Sequence, residues 1–217
     1  GLLFFRAAEG GEPLFLPGRG LYAAYRDHIQ WPLSLSFANA IPNEAALEVL
    51  GRYAPLCEVG CGTGYWGALL RARGVECVLY DSNPPEPASM RNSWHIEHAY
   101  TDVIKADGPA IVNRHPTHTL LFIWPYIDEV AATGAQPAHA WDSMTLGLFK
   151  GHFVAHVGEL YEGMRRSSRV NTSPEFCDAL RADWELKCRV GLMNWAPVMT
   201  SQLTIWQRKQ VTKASLH

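Results

Sequence analysis

The sequence predicts a doubly wound α/β domain, and three observations carry that prediction. Short buried apolar runs alternate with segments of helical spacing, a glycine-rich turn joins one such run to a helix, and two strand-like runs close the chain without a helix between them. Alternation of this kind implies a mostly parallel seven-stranded sheet covered on both faces, with ligands bound beyond the carboxyl ends of the strands. The final pair implies an antiparallel hairpin at one edge. At 217 residues there is room for one such domain, in a chain that is 47% hydrophobic and 18% charged.

Residues 1–30 read as an N-terminal extension, loosely ordered through residue 20 by its glycines and prolines, with a helix from Leu21 to Gln30. Trp31-Pro32 is expected to end that helix, because the residue before proline is pushed out of the helical region. The helix either folds over a ligand as a lid or extends the core. Residues 31–217 form the domain proper. Asn43 is an N-cap for a helix to about Tyr53, Leu56–Val59 a first strand, Tyr65–Arg73 a helix closed by Gly74, and Val75–Tyr80 a second strand ending at Asp81. A weaker third strand lies in His98–Lys105, ending near Asp107. Thr119–Trp124 is a buried fourth strand, Trp141–Phe149 a helix, and His152–Val157 a fifth strand. Ser173-Pro174 opens a helix to about Trp184, with proline at its favoured first position, and Leu186–Leu192 and Gln202–Gln207 are the last two strands.

Composition excludes several classes of function. A net charge of −2 gives no whole-molecule bias towards nucleic acid or acidic lipid, and no run approaches the ~20 apolar residues of a membrane span. Five scattered cysteines without CxxC spacing fit a reducing, intracellular setting, cytoplasmic or nuclear, rather than a disulfide framework. Nine histidines form no metal motif. His152 and His156 fall on one strand, where residues four apart are about 13 Å distant, so no metal is expected.

The chemistry concentrates at Glu58-Val59-Gly60-Cys61-Gly62-Thr63-Gly64. Glycines allow a tight turn and let backbone approach a ligand closely. Asp81, ending the next strand, is placed to accept from ribose hydroxyls, a unit that binds nucleoside cofactors in general. A dinucleotide fingerprint needs glycine where Tyr65 stands, which sets a nicotinamide oxidoreductase aside. The acid before the turn, the spacing and Asp81 together resemble class I S-adenosylmethionine (SAM)-dependent methyltransferases, over roughly residues 31–208. Further short matches resemble a little-characterised subgroup of them: Ala40–Asn43, Gly62–Trp66, Trp124–Tyr126 and Val157–Glu159. The resemblance implies SAM as cofactor, held by Glu58, Gly60, Cys61, Gly62, Gly64, Tyr65, Asp81 and Ser82.

In that family the residues past strand four face the transferable methyl. Trp124-Pro125-Tyr126 resembles the D/N-P-P-Y/F/W motif of amino methyltransferases, but Trp124 replaces the polar residue and one proline is missing. An indole donates but cannot accept, so Glu159, Asp128 or the Pro125 carbonyl must supply the acceptor. Trp124, Pro125, Tyr126 and Glu159 are the candidate catalytic residues, with the aromatics able to stack on a planar acceptor. Trp94, His95 and the cluster Arg165, Arg166 and Arg169 are candidate substrate contacts, and the arginines favour RNA, at a nucleobase or ribose. The alternatives are a small-molecule or protein methyltransferase, or a SAM-fold subunit that has lost strand-four chemistry and binds a partner.

Overall fold

The computed structural model describes residues 23–87, 96–125, 140–160, 171–195 and 201–210. Seven strands form one sheet in the order β3-β2-β1-β4-β5-β7-β6. They are β1 (Leu56–Val59), β2 (Cys77–Asp81), β3 (Ile104–Lys105), β4 (Thr119–Ile123), β5 (Phe153–Gly158), β6 (Trp184–Gly191) and β7 (Gln202–Arg208). Strands β1 to β5 are parallel, and β7 runs antiparallel to both β5 and β6. This is the doubly wound sheet with a terminal hairpin that the alternation predicts. The chain winds outward from β1 through β2 to β3, then returns to β4 on the other side. The crevice that this reversal opens lies beyond the carboxyl ends of β1 and β4.

Two apolar layers sandwich the sheet because the central strands are buried on both faces. On β4, Leu121 and Ile123 join the layer that holds α2 (Glu44–Arg52) and α3 (Tyr65–Ala72). Leu120 and Phe122 point the other way, towards α4 (Gly108–Ile111), α5 (Trp141–Leu148) and α6 (Pro174–Asp183). Capping sets the helix starts as the sequence suggests. The Asn43 side chain accepts from Ala46 N–H, and Ser173 accepts from Phe176 N–H ahead of Pro174. Gly74, at φ 75°, closes α3.

Two expectations change. The N-terminal helix does not stop at Trp31-Pro32. A π-helical turn over Arg26–Gln30 runs directly into α1 (Trp31–Ser36), with Trp31 itself helical at φ −63°, ψ −49°. Trp31 N–H bonds the Arg26 carbonyl five residues back, and Pro32 sits in the first turn of α1. The third strand is only two residues long, because no apolar alternation extends it and both residues are exposed. Among the described residues no helix is long and apolar enough to cross a membrane, and no group of three His, Cys, Asp or Glu side chains could hold a metal. All five cysteines are free.

Candidate functional site

The glycine turn follows β1 at the crevice. Gly60, Gly62 and Gly64 have φ of 68°, 56° and 72°, a region that side chains disfavour. The turn is braced from inside: Cys61 N–H bonds the Tyr80 carbonyl on β2, and Gly64 N–H bonds the Cys61 carbonyl. Cys61 is thus the spine of the turn, and burial pushes its thiol well above the ordinary range, so it stays protonated. Tyr65 opens α3 directly after the third glycine.

Asp81 fixes the same turn from the neighbouring strand. One carboxylate oxygen accepts from Gly62 N–H at 2.7 Å and the other from Asn83 N–H at 2.7 Å. The residue expected to face a ribose therefore also holds the glycine turn in shape, with one lone pair left on each oxygen. Burial raises its pKa, and the two backbone donors oppose that rise. Asp81→Ala leaves the buried Gly62 N–H without its acceptor, at about 1–3 kcal/mol, whereas the N–H of exposed Asn83 turns to water. The expected result is a lower melting temperature in thermal denaturation.

Glu58, two residues before Gly60, is 1% exposed on the α3 face of β1, and its Oε2 has no hydrogen-bond partner. Desolvation pushes its pKa up to about 8, Asp81 adds to the rise and Arg71 opposes it. The Arg71 guanidinium is itself engaged by the Cys77 and Asp102 carbonyls and the Thr101 hydroxyl. Asp107, after β3, adds a further negative charge that acts on Asp81.

Two hollows flank the turn. The larger, about 550 Å³, is lined by Gly60, Ser82, Ala106, Asp107, Gly108, Trp141 and Met144 among others. It lies within the ~300–1,000 Å³ range of small-molecule sites. Trp141 presses against the turn so closely that a Cβ on Gly60 would lie 2.8 Å from its ring. Asp107, Trp141 and Met144 escaped the sequence reading. Only the acid at a strand end gave any signal for Asp107, and nothing in the pattern distinguishes Trp141 from a core residue. The smaller hollow, about 140 Å³, lies towards residues 37–42, with Tyr65 and Trp195 in its wall.

Residues 37–40 are tied down there by three side-chain donors. Thr63 bonds the Phe37 carbonyl, Trp195 the Ala38 carbonyl at 2.8 Å, and Trp66 the Ala40 carbonyl at 3.0 Å. This gives a physical reason for the Ala40–Asn43 and Gly62–Trp66 segments to occur together. Tyr25, in the N-terminal helix, donates to the Trp195 carbonyl.

Past β4, Trp124 adopts φ 48°, rare for a side chain of this size. Its N–H bonds the Val157 carbonyl at 2.8 Å and its indole Nε1–H bonds Ser201 Oγ at 3.0 Å, so the indole donor is satisfied within the protein. Trp124 packs at the border of the α2–α3 layer, and Pro125 is buried. Glu159 is half-buried just past β5, with its N–H on Asn171 Oδ1 and its carbonyl receiving the Thr172 hydroxyl. Beneath it, buried His156 faces Thr172 Oγ1 at 2.9 Å, and desolvation pushes its pKa down to about 3. His156 is a neutral core histidine. Tyr126, Asp128, Trp94, His95, Arg165, Arg166 and Arg169 lie outside the described residues.

No family model matches the chain, and no curated protein matches it. Among solved structures, it is similar to 1,6-didemethyltoxoflavin-N1-methyltransferase from Burkholderia thailandensis, at 14% identity and TM-score 0.49, over 92% of this chain and 93% of that one. It is similar to magnesium protoporphyrin IX methyltransferase from Synechocystis PCC 6803, at 11% identity and TM-score 0.46, over 88% and 86% of the two chains. A 16S rRNA (adenine(1408)-N(1))-methyltransferase from Catenulisporales acidiphilia follows at 10% identity and TM-score 0.35, over 78% and 92%.

Proposed function

We propose that the chain is a SAM-dependent methyltransferase. The supporting observation is the charge around the glycine turn. A turn built for a pyrophosphate leaves its N–H groups free for the anion. Here Gly62 N–H is already given to Asp81, Asp81 and Asp107 place negative charge beside the turn, and Glu58, protonated in the empty site, ionises against a bound cation. Such a cradle repels phosphate and suits a ligand with a sulfonium and an ammonium group. The fit extends to the larger cleft, where Ser82 and Asp107 offer polar contacts to an adenosine and Trp141 offers a flat face. Glu58, whose buried Oε2 lacks a partner, is the group we assign to the amino end of the cofactor, directly or through water.

SAM bound there supplies a methyl group already activated on sulfur. The protein's part is to hold an acceptor in line with it, an arrangement worth up to about 7–11 kcal/mol. Trp124, pinned by Val157 and Ser201, forms a rigid wall at the strand-four exit. We assign the acceptor's proton to the Glu159 carboxylate as its N–H or O–H group bonds to the methyl. Tyr126 completes the proposal as a stacking surface.

For the acceptor we place a small planar molecule first. The smaller hollow has aromatic walls and no charged residue in its lining, which supports an uncharged ring. RNA is the second reading, carried by Arg165, Arg166 and Arg169. Incubating the protein with methyl-tritiated SAM and, in parallel, total RNA, a metabolite extract and a protein extract tests all of this. Label in the metabolite fraction is the expected result. Label confined to RNA reverses the order, and no label in any fraction rejects methyl transfer.

A further inference from the structure

The smaller hollow has the properties of a site for one flat ring. Phe37 and Tyr65 form two of its walls and brace each other edge-on, with ring centroids 5.4 Å apart at 71°. Tyr100 locks both from behind, stacked on Phe37 at 5.9 Å and edge-on to Tyr65 at 5.1 Å. Trp195 forms the opposite wall, held by its bond to the Ala38 carbonyl and by Tyr25 on its own carbonyl. Ile41 and Pro42 complete the lining with aliphatic surface. The rings are therefore preorganised, and little side-chain entropy remains to be lost on binding.

The hollow also sits between the two halves of the proposed reaction. Tyr65 directly follows Gly64 of the glycine turn, and Thr63 of that turn bonds the Phe37 carbonyl. On the other side, Asn194 Oδ1, next to Trp195, accepts from Ser201 N–H at 3.0 Å. Ser201 Oγ in turn receives the Trp124 indole at the exit of β4. Cofactor turn, hollow and strand-four exit are joined by this chain of bonds.

We propose that this aromatic hollow is the acceptor pocket, and that its occupant is a small, uncharged heteroaromatic molecule carrying a ring or exocyclic N–H or O–H. This rests on the methyltransferase reading above. The volume of about 140 Å³ suits one ring system. The absence of charge in the lining disfavours a phosphate-bearing ligand, because a buried anion needs a partner. Recognition is by stacking and shape, and the lining holds no carboxylate or imidazole, so the proton leaves towards Glu159 at the β5 exit.

The test uses protein loaded with S-adenosylhomocysteine and ligand-observed NMR. The probes are a panel of uncharged mono- and bicyclic nitrogen and oxygen heteroaromatics, their saturated ring analogues, and a short mixed-sequence RNA. The planar panel is expected to bind and the saturated panel to be silent. Trp195→Ala should weaken binding about tenfold. Because that change also frees the Ala38 carbonyl, Ala38→Leu serves as a second variant that fills the hollow and keeps the bond, and it should abolish the signal. Loss of discrimination between planar and saturated rings, binding undiminished in Ala38→Leu, or preferential binding of the RNA overturns the proposal. Loading with S-adenosylhomocysteine is verified in each sample. Failure to load counts against the cofactor reading, whereas normal loading with no planar ligand counts against the pocket alone.

Discussion

Gly60→Ala is expected to weaken SAM binding by about 30-fold or more, equivalent to about 2 kcal/mol. Two separate effects contribute. At φ 68° an alanine is strained by roughly 1–2 kcal/mol, which lowers stability. The new Cβ would also lie 2.8 Å from the Trp141 ring, closer than real contacts, and that ring lines the larger cleft with Gly60. The ring must swing into the space assigned to the cofactor. Trp141→Ala alone should weaken binding several-fold by removing a flat face. The double variant should bind better than the sum of the two losses predicts, with a coupling of about 1 kcal/mol or more. Simple additivity by calorimetry would show that Trp141 does not transmit the effect.

The second large effect concerns pH. Glu58 has an ordinary pKa of 4.5 and a folded value near 8, raised first by desolvation and then by Asp81. The folded state thus holds this proton more tightly than the unfolded chain. Below pH 4.5 the carboxyl is neutral in both states and costs nothing. Between the two values the unfolded chain ionises first, so stability falls as pH rises, and the loss is complete above pH 8. A shift of this size corresponds to about 5 kcal/mol. Glu58→Gln, an uncharged near-isostere, should match the parent at about pH 4 and exceed it at pH 9 by up to that amount in urea melts. A constant difference across that range would contradict the assignment. An ammonium group at the carboxylate lowers the folded pKa again, so SAM should bind more tightly from about pH 6.5 to 8.5 and release protons. Calorimetry in buffers of different ionisation enthalpy measures that release.

Much of the fold was legible because periodicity and caps are local properties. Asn43, Ser173 and Gly74 act where their chemistry predicts, and β1 begins at Leu56 and ends at Val59 as its apolar run suggests. The Trp31-Pro32 boundary failed because the pre-proline rule is a bias that helix continuity overrides here: Trp31 stays helical, and Pro32 falls in the first turn of α1, where proline is tolerated. In the site, the turn and Asp81 were readable as a motif, yet the bond from Gly62 N–H to Asp81 was not, since it depends on how β2 lies beside β1. That bond gives Asp81 a second task beside the ribose contact expected of it, holding the turn in shape. Trp141 and the ring cluster of Phe37, Tyr65 and Tyr100 were invisible for the same reason: distant segments meet there only once the sheet is assembled.

The central claim is that the acidic glycine turn binds SAM, and titration of the intact chain with SAM by calorimetry tests it most directly. The account predicts one saturable site, competition by S-adenosylhomocysteine, little or no binding of a nicotinamide dinucleotide, and weaker binding in Gly60→Ala. Absence of heat with both SAM and S-adenosylhomocysteine, or tighter binding of the dinucleotide, would contradict it.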